Sequence, residues 1–338
     1  MTERELSYRL AINEALRLEM RRDPTVVVMG EDISGAPQSD DPRHLDAWGG
    51  ALGVTQGLVH EFGRDRVRDT PITESAFVGC GVGAAATGLR PVVELMFIDF
   101  MGVCLDQLTN QAAKMRYMFG GKARMSLVVR TIVGAGFRAA AQHSGSMYST
   151  FVHFPGLKVV APATPADAKG LLTASIRDDD PVIFCENKSL FDVTGPVPEG
   201  EYLVPLGQAD IKREGTDVTV VAISRMVHVA LEAANELAND GISAEVVDPR
   251  TLSPLDQDTI LNSIRKTGRL VVVDEDNPRC SVATDIATLA ATGVVEYLNA
   301  PVKLVTAPHT PVPFSGVLED TFVPTPQRVV AAVREAMI

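Results

Sequence analysis

Two side chains in this sequence stand where proton chemistry could occur, Glu74 and His143. Glu74 lies in RDTPITESAFVGCGVGAAATGLRPVVEL (68–95), at the mouth of a run made almost wholly of Gly, Ala and small apolar residues. Asp69-Thr70-Pro71 should end a strand, because a residue before proline is pushed to extended geometry and Pro suits a first helical turn. From Thr73 onward the residues read as a helix too small-sided to fill space, so another element or a ligand must approach closely. A carboxylate facing such a dry cleft is expected to stay protonated or share a proton with a polar group. The alternative role for Glu74 is structural, as an early-turn acid favouring the helix dipole or completing a capping box. His143 sits in GAGFRAAAQHSGSMYS (134–149), a turn-prone stretch between two strands, with Gln142, Ser144 and Ser146 as polar neighbours. Loops on a rigid sheet gather catalytic groups, and imidazole moves protons near neutrality. A satisfied surface histidine is the plainer alternative.

The remaining composition narrows the field. A net charge of -12 without a basic run disfavours nucleic acid and anionic membranes as partners. The N-terminus lacks a signal-peptide core, and the longest apolar stretch (76–89) falls short of the roughly 20 residues a membrane span needs. Cys80, Cys104, Cys185 and Cys280 lie far apart, as expected of reduced thiols in a cytoplasmic protein. His44, His60, His153, His228 and His309 form no metal-like cluster. Gly81 to Ala86 matches GxGxxA, which would suit a nicotinamide nucleotide if it lay in a strand-to-helix turn. Here the turn falls at 70–73 and the glycines lie inside the helix, so close packing is the better explanation. No Walker A motif or other phosphate-cradling turn is found, so another chain must supply any cofactor phosphate site. Asp178, Asp179 and Asp180 at an expected helix C-terminus oppose its dipole, a conflict that a cation would remove.

These groups need a scaffold. Apolar, unalternating runs at 25–29, 91–95, 126–131, 157–161, 182–185, 217–223, 243–247, 270–274 and 302–305 read as strands. Helical segments between them predict an α/β fold with two parallel-sheet domains covered on both faces. Thr164-Pro165 opens a helix to about Arg177. Ser224 is expected to cap a helix burying Met226, Ala230, Ala233 and Leu237. Another helix should span 326–337. The proline-bearing stretch 187–206 reads as a linker, giving domains at about 1–186 and 207–338.

At this point an ordered set of motifs emerges: GEDI (30–33), DTPITE (69–74), GLRPVVEL (88–95), AAQHS (140–144), FPGLKVVAP (154–162) and IRDDDPVIF (176–184). Over essentially its whole length the chain resembles the β subunit of the thiamine-diphosphate-dependent E1 component of 2-oxo acid dehydrogenase complexes. MRYMFGGKA (115–123), SRMVHVALEAA (224–234) and APHTPVPFS (307–315) make the likeness strongest to acetoin dehydrogenase β subunits, with pyruvate and branched-chain enzymes close by.

The resemblance implies a transketolase-like pyrimidine-binding domain followed by a transketolase C-terminal-like domain, in an α2β2 heterotetramer with its sites at α/β interfaces. It implies that the α subunit binds the diphosphate through Mg²⁺ and that the acyl group passes to the lipoyl group of E2. Glu74 matches the glutamate that hydrogen-bonds N1′ of the cofactor pyrimidine. His143 matches a histidine facing substrate and lipoyl group, and Glu31 an acid near the cofactor. Met96 stands where several relatives have Gln and Phe100 where some have Tyr, giving a more apolar pocket wall. Leu127, Ser175, Ile176, Asp178 and Asp180 match positions that hold potassium in some relatives, with Asp180 where a relative has Asn. The substrate stays open between acetoin, pyruvate and branched-chain oxo acids. A non-catalytic partner subunit keeping the fold is the rival from another class.

Overall fold

The structure is a computed structural model that describes residues 3–34 and 49–338. His44 lies outside the described residues. The chain divides into two compact units, one of residues 1–133, 150–186 and 190–206, the other of 134–149, 187–189 and 207–338.

The first unit contains β1 (Glu3–Ser7), α1 (Tyr8–Arg22), β2 (Val26–Gly30), α2 (Leu58–Phe62), β3 (Val67–Asp69), α3 (Glu74–Ala86), β4 (Arg90–Phe97), α4 (Ala113–Met118) and β5 (Val128–Val133). The chain then passes through α5 (Tyr148–Val152), β6 (Lys158–Val160), α6 (Pro165–Arg177), β7 (Val182–Asn187) and β8 (Thr194–Pro198). Within this unit the main sheet runs β6-β7-β5-β4-β2-β3. Pairings β2–β3, β2–β4, β4–β5 and β6–β7 are parallel. Every residue of β2, β5 and β7 is buried, as the unbroken apolar runs predict for a sheet covered on both faces.

Local signals set the covering helices. Thr164 caps α6 by accepting the Asp167 amide at 3.1 Å, with Pro165 at the first helical position. Ser7 caps α1 in the same way, and α1 buries Tyr8, Ile12, Ala15, Leu16 and Met20 along one stripe, packed against α6.

The stretch expected as a linker is structured instead. Residues 194–198 form β8, paired antiparallel with β1 from Glu3 opposite Pro198 to Ser7 opposite Thr194. Leu190 and Phe191 just before it enter the core. Prolines are tolerated there because the ribbon has only two strands, which leaves the outer edge of β8 without a ladder to complete.

The second unit contains β9 (Asp210–Arg213), β10 (Val218–Ala222), α7 (Met226–Asn239), β11 (Ala244–Asp248), β12 (Thr251–Ser253), α8 (Gln257–Thr267), β13 (Leu270–Val273), α9 (Val282–Gly293), β14 (Lys303–Val305), α10 (Gly316–Phe322) and α11 (Pro326–Met337). Its sheet runs β14-β13-β10-β11-β9. The inner pairings are parallel, but the edge strand β9 runs antiparallel to β11, so the expected all-parallel sheet becomes mixed. Helix α7 buries Met226, Ala230, Ala233 and Leu237 as expected. Ser224 stands one residue before the assigned cap position of this helix. Its backbone is left-handed (φ 53°), Arg225 takes the cap position, and the Ser224 carbonyl accepts the Val227 amide at 3.0 Å. No helix among the described residues is long and apolar enough to cross a membrane.

Candidate active site

Parallel strands deliver their carboxyl ends to one edge of a sheet, where crevices form. In the first unit that edge is acidic. Glu31 follows the last residue of β2, Asp69 ends β3, Glu94 lies near the end of β4, and Glu74 is the first residue of α3. Glu31 is only 6% exposed, and its Oε1 has no hydrogen-bond partner among the described residues. Asp69 Oδ2 and Thr70 Oγ1 are buried and likewise without a partner among the described residues. The main chain here is well tied, with Ser34 N donating to Asp69 Oδ1 at 2.8 Å and Thr70 N to the Gly30 carbonyl at 3.0 Å. Buried polar atoms normally find partners, so this set suits a polar heterocyclic ligand or water.

The electrostatics place Glu31 and Glu74 in one field. Burial pushes the Glu31 carboxyl up to about 7, with the charges of Glu74, Asp32 and Glu94 adding to it. Burial, and then the charge of Glu74, push the Cys104 thiol up to about 12, which leaves it unreactive. The expectation that the acid at the Gly/Ala helix would be the desolvated one therefore shifts by one element. Glu31 is deeply buried, while Glu74 is half-buried.

Helix α3 explains its own composition. Phe77, Val78, Gly81, Val82 and Ala85 are buried. A Cβ on Gly81 would fall 2.6 Å from Val93 Cγ2, so glycine alone lets the helix lie this close to β4. Ser75, Ala76, Cys80, Gly83 and Ala86 form an exposed small-residue face. The capping-box alternative for Glu74 fails, because Thr73 makes no side-chain cap and donates its hydroxyl to the Pro71 carbonyl at 3.1 Å. The glycines lie inside the helix and not in its entry turn, so they are packing residues and not a nucleotide fingerprint.

One part of the site was missed from sequence. Arg130 is buried and binds Glu186 through Nε (2.6 Å) and Nη2 (2.8 Å), and Glu94 through Nη1 (2.7 Å). Glu94 and Arg130 are direct neighbours in the β4–β5 register. Burial pushes the Glu186 carboxyl up, and the Arg130 charge opposes that rise. The signal was available, since a single charge sits inside each of three mainly apolar strands: PVVEL, VVRTIV and VIFCEN.

Met96 and Phe100 follow at the end of β4 and just beyond, both half-buried, with Phe100 edge-on to Phe97 at 5.9 Å. His143 belongs to the second unit, on a short 3-10 turn (Ala141–His143), and is half-buried. The four cysteines are free, Cys104 and Cys185 buried, Cys80 and Cys280 exposed.

The corner matched to potassium is closed by basic side chains. Arg90 donates to the carbonyls of Ile176 (2.9 Å) and Asp178 (3.0 Å). Lys158 binds both oxygens of Asp178 (2.7 and 2.8 Å) and lies 3.3 Å from Asp180, which Arg116 also binds at 2.7 Å. The carbonyls of Ser175 and Leu127 accept main-chain amides. A cation does resolve the conflict between these acids and the helix dipole, but it is carried by side chains. As they stand these groups do not fit a potassium ion, and no group of His, Cys, Asp and Glu among the described residues is arranged to hold a metal.

Comparison with known proteins identifies both parts of the chain. Residues 4–193 match the transketolase pyrimidine-binding domain and residues 207–329 the transketolase C-terminal domain. The chain is 59% identical over 334 residues to the acetoin:2,6-dichlorophenolindophenol oxidoreductase subunit beta of Cupriavidus necator, covering 99% of this chain and 98% of that protein. It is 45% identical over 331 residues to the pyruvate dehydrogenase E1 component subunit beta of Rickettsia felis, covering 98% of each. The chain belongs to the dehydrogenase E1 beta subunits of the transketolase family.

At this edge of β2 and β3, the atoms of Glu31, Asp69 and Thr70 that lack partners among the described residues fit a ring with hydrogen-bonding nitrogens. A solved split-gene transketolase, described as an inactive beta4 tetramer, shares the fold of this E1 beta chain with a TM-score of 0.77 at 22% identity, covering 98% of each chain.

Proposed function

We propose that this chain seats the aminopyrimidine of thiamine diphosphate in an E1 enzyme acting on acetoin, and that it works only with an α subunit, as an α2β2 assembly in the cytoplasm. The observation that carries the reading is the acidic edge of the sheet, where the charge of Glu74 at the start of α3 acts on a buried Glu31 whose Oε1 lacks a partner among the described residues. The 59% identical relative supports acetoin over a 2-oxo acid such as pyruvate or a branched-chain analogue. The sequence has no phosphate-cradling turn, which suits an α partner that holds the diphosphate through Mg²⁺.

When bound, thiamine diphosphate supplies a nucleophilic thiazolium C2 for a carbonyl substrate. Glu74 holds the proton at N1′ of the aminopyrimidine, as a carboxyl group at hydrogen-bonding range of a ring nitrogen can do. Glu31, lifted to about 7 and so only part-protonated at neutrality, is a second proton holder at the same edge. Met96 and Phe100 present apolar surface, which excludes water and strengthens nearby electrostatics. The Arg130 pairs hold Glu94 and Glu186 in place beneath. His143 meets the substrate and the lipoyl group of E2 that accepts the acyl unit.

The test is reconstitution with the α partner, thiamine diphosphate and Mg²⁺, followed by a panel of acetoin, pyruvate and branched-chain oxo acids with a lipoyl acceptor. Acetoin should give the highest kcat/KM. Preference for a 2-oxo acid would move the substrate assignment, and no turnover with any of them would remove the enzymatic reading.

A further inference from the structure

The segment that carries His143 is held in a conformation it would not adopt alone. Within Gly134–Ser149, φ is 93° at Gly134, 99° at Gly136, 57° at Arg138 and 60° at Ala140. Left-handed backbone at Arg and Ala persists only where the surroundings over-determine it.

Those surroundings are specific and buried. Residues Asn187–Ser189 form a cradle in the same unit. Asn187 Nδ2 and the Ala135 amide both donate to the buried carboxylate of Glu275, at 2.8 and 2.5 Å. Ser189 Oγ donates to the Ala135 carbonyl at 3.1 Å. A Cβ at Gly134 would fall 2.4 Å from Asn187 Nδ2, so the loop and its cradle are in close register. On the other side Glu319, whose side chain is fully buried, accepts the amides of Gly136 (2.8 Å) and Arg138 (3.1 Å) and the Arg138 guanidinium (2.6 Å).

The decisive contact is at His143 itself. Lys188 is 2% exposed and donates its ammonium to the His143 carbonyl. Burying a charge is costly unless an opposite charge compensates, and the electrostatic influence of Lys188 reaches Glu275, which is itself buried. A neutral donor could have served a structural need at lower cost. A charged donor on that one carbonyl fixes the direction of the residue that bears it.

We propose that Lys188 and Glu319 are positioning residues for His143: Lys188 fixes its carbonyl from below, and Glu319 fixes the approach of the loop. This rests on the reading that His143 meets the acyl acceptor. The same α/β enzyme can be assayed with a lipoyl acceptor and with the dye 2,6-dichlorophenolindophenol, which takes electrons without the lipoyl group.

Lys188→Met should lower lipoyl-linked kcat by about 30- to 100-fold, as expected for a small misplacement of a reacting group, while dye-linked kcat, which needs His143 only at the substrate, falls by a clearly smaller factor. Lys188→Arg, which keeps the charged donor, should recover most of the loss. In a double-mutant cycle, Lys188→Met added to His143→Ala should cost nothing further. Normal lipoyl-linked turnover in Lys188→Met, equal losses with both acceptors, or additivity with His143→Ala would overturn the proposal. If Lys188→Met does not fold, Glu319→Gln asks the same question from the other side of the loop, and an unchanged lipoyl-linked kcat there overturns the clamp. Should His143→Ala itself leave lipoyl-linked turnover unchanged, the reading of His143 fails, an outcome distinct from a normal Lys188→Met beside an impaired His143→Ala.

Discussion

Glu31 and Glu74 share one electrostatic field, and after burial the charge of Glu74 is the largest influence that lifts the Glu31 carboxyl to about 7. An ordinary glutamate in the unfolded chain titrates near 4.5. As pH rises, the unfolded state therefore loses this proton first, so the Glu31 contribution to stability falls between those two values and is flat above them. Glu31→Gln should remove that slope. The variant is expected to melt at the wild-type temperature near pH 4.5 and above it at pH 8. Parallel melting curves at both pH values would refute the raised titration.

Glu74→Ala removes the proposed proton holder at the cofactor ring. Turnover of the assembled α/β enzyme should drop by about 10²–10⁴-fold, the range for general acid–base groups, while the complex still forms on a sizing column. Near-normal turnover would sink the assignment of Glu74.

Arg130→Met leaves Glu94 and Glu186 buried without their shared cation. Breaking a buried ion pair from one side costs about 3–5 kcal/mol, because an uncompensated charge stays behind. The loss should shrink as pH falls, since the stranded carboxylates can then take up protons. Thermal melts of the chain at pH 5 and pH 8 measure it, and an equal loss at both would argue against a charge effect.

The two glycines Gly81 and Gly83 make opposite predictions on one helix. Gly81→Ala drives a methyl into Val93, and overpacking of this kind costs about 1–3 kcal/mol. Gly83→Ala meets nothing within 4 Å, and removing a helix-interior glycine should stabilise the isolated chain by about 0.5–1 kcal/mol. If the exposed Gly83 face packs on the α subunit, the same change should weaken assembly. Denaturant midpoints and α/β titrations separate the two effects.

Much of the scaffold could be read because its signals are local. The Thr164-Pro165 start of α6 and the span Pro326–Met337 of α11 match expectation, since a cap and a fixed proline φ act within one turn. The β1–β8 ribbon could not be read, because it joins residues nearly two hundred positions apart and its strands show weak patterning. The left-handed backbone of Ser224, which leaves the cap position to Arg225, is a conformation that residue type alone did not indicate.

The candidate site divides in the same way. Sequence alone determined that Glu74 opens a small-residue helix and that buried, apolar parallel strands lie beside it. These are matters of residue type and spacing. Only tertiary structure decided that the buried, proton-holding acid is Glu31, and that Glu94, Arg130 and Glu186 neutralise one another across three strands. It also decided that Arg90, Lys158 and Arg116 meet Asp178 and Asp180, and that Lys188 grips the backbone of His143. The physical reason is common to all four. Desolvation and charge compensation depend on which groups meet after the sheets close, and strand order, not sequence order, decides those meetings.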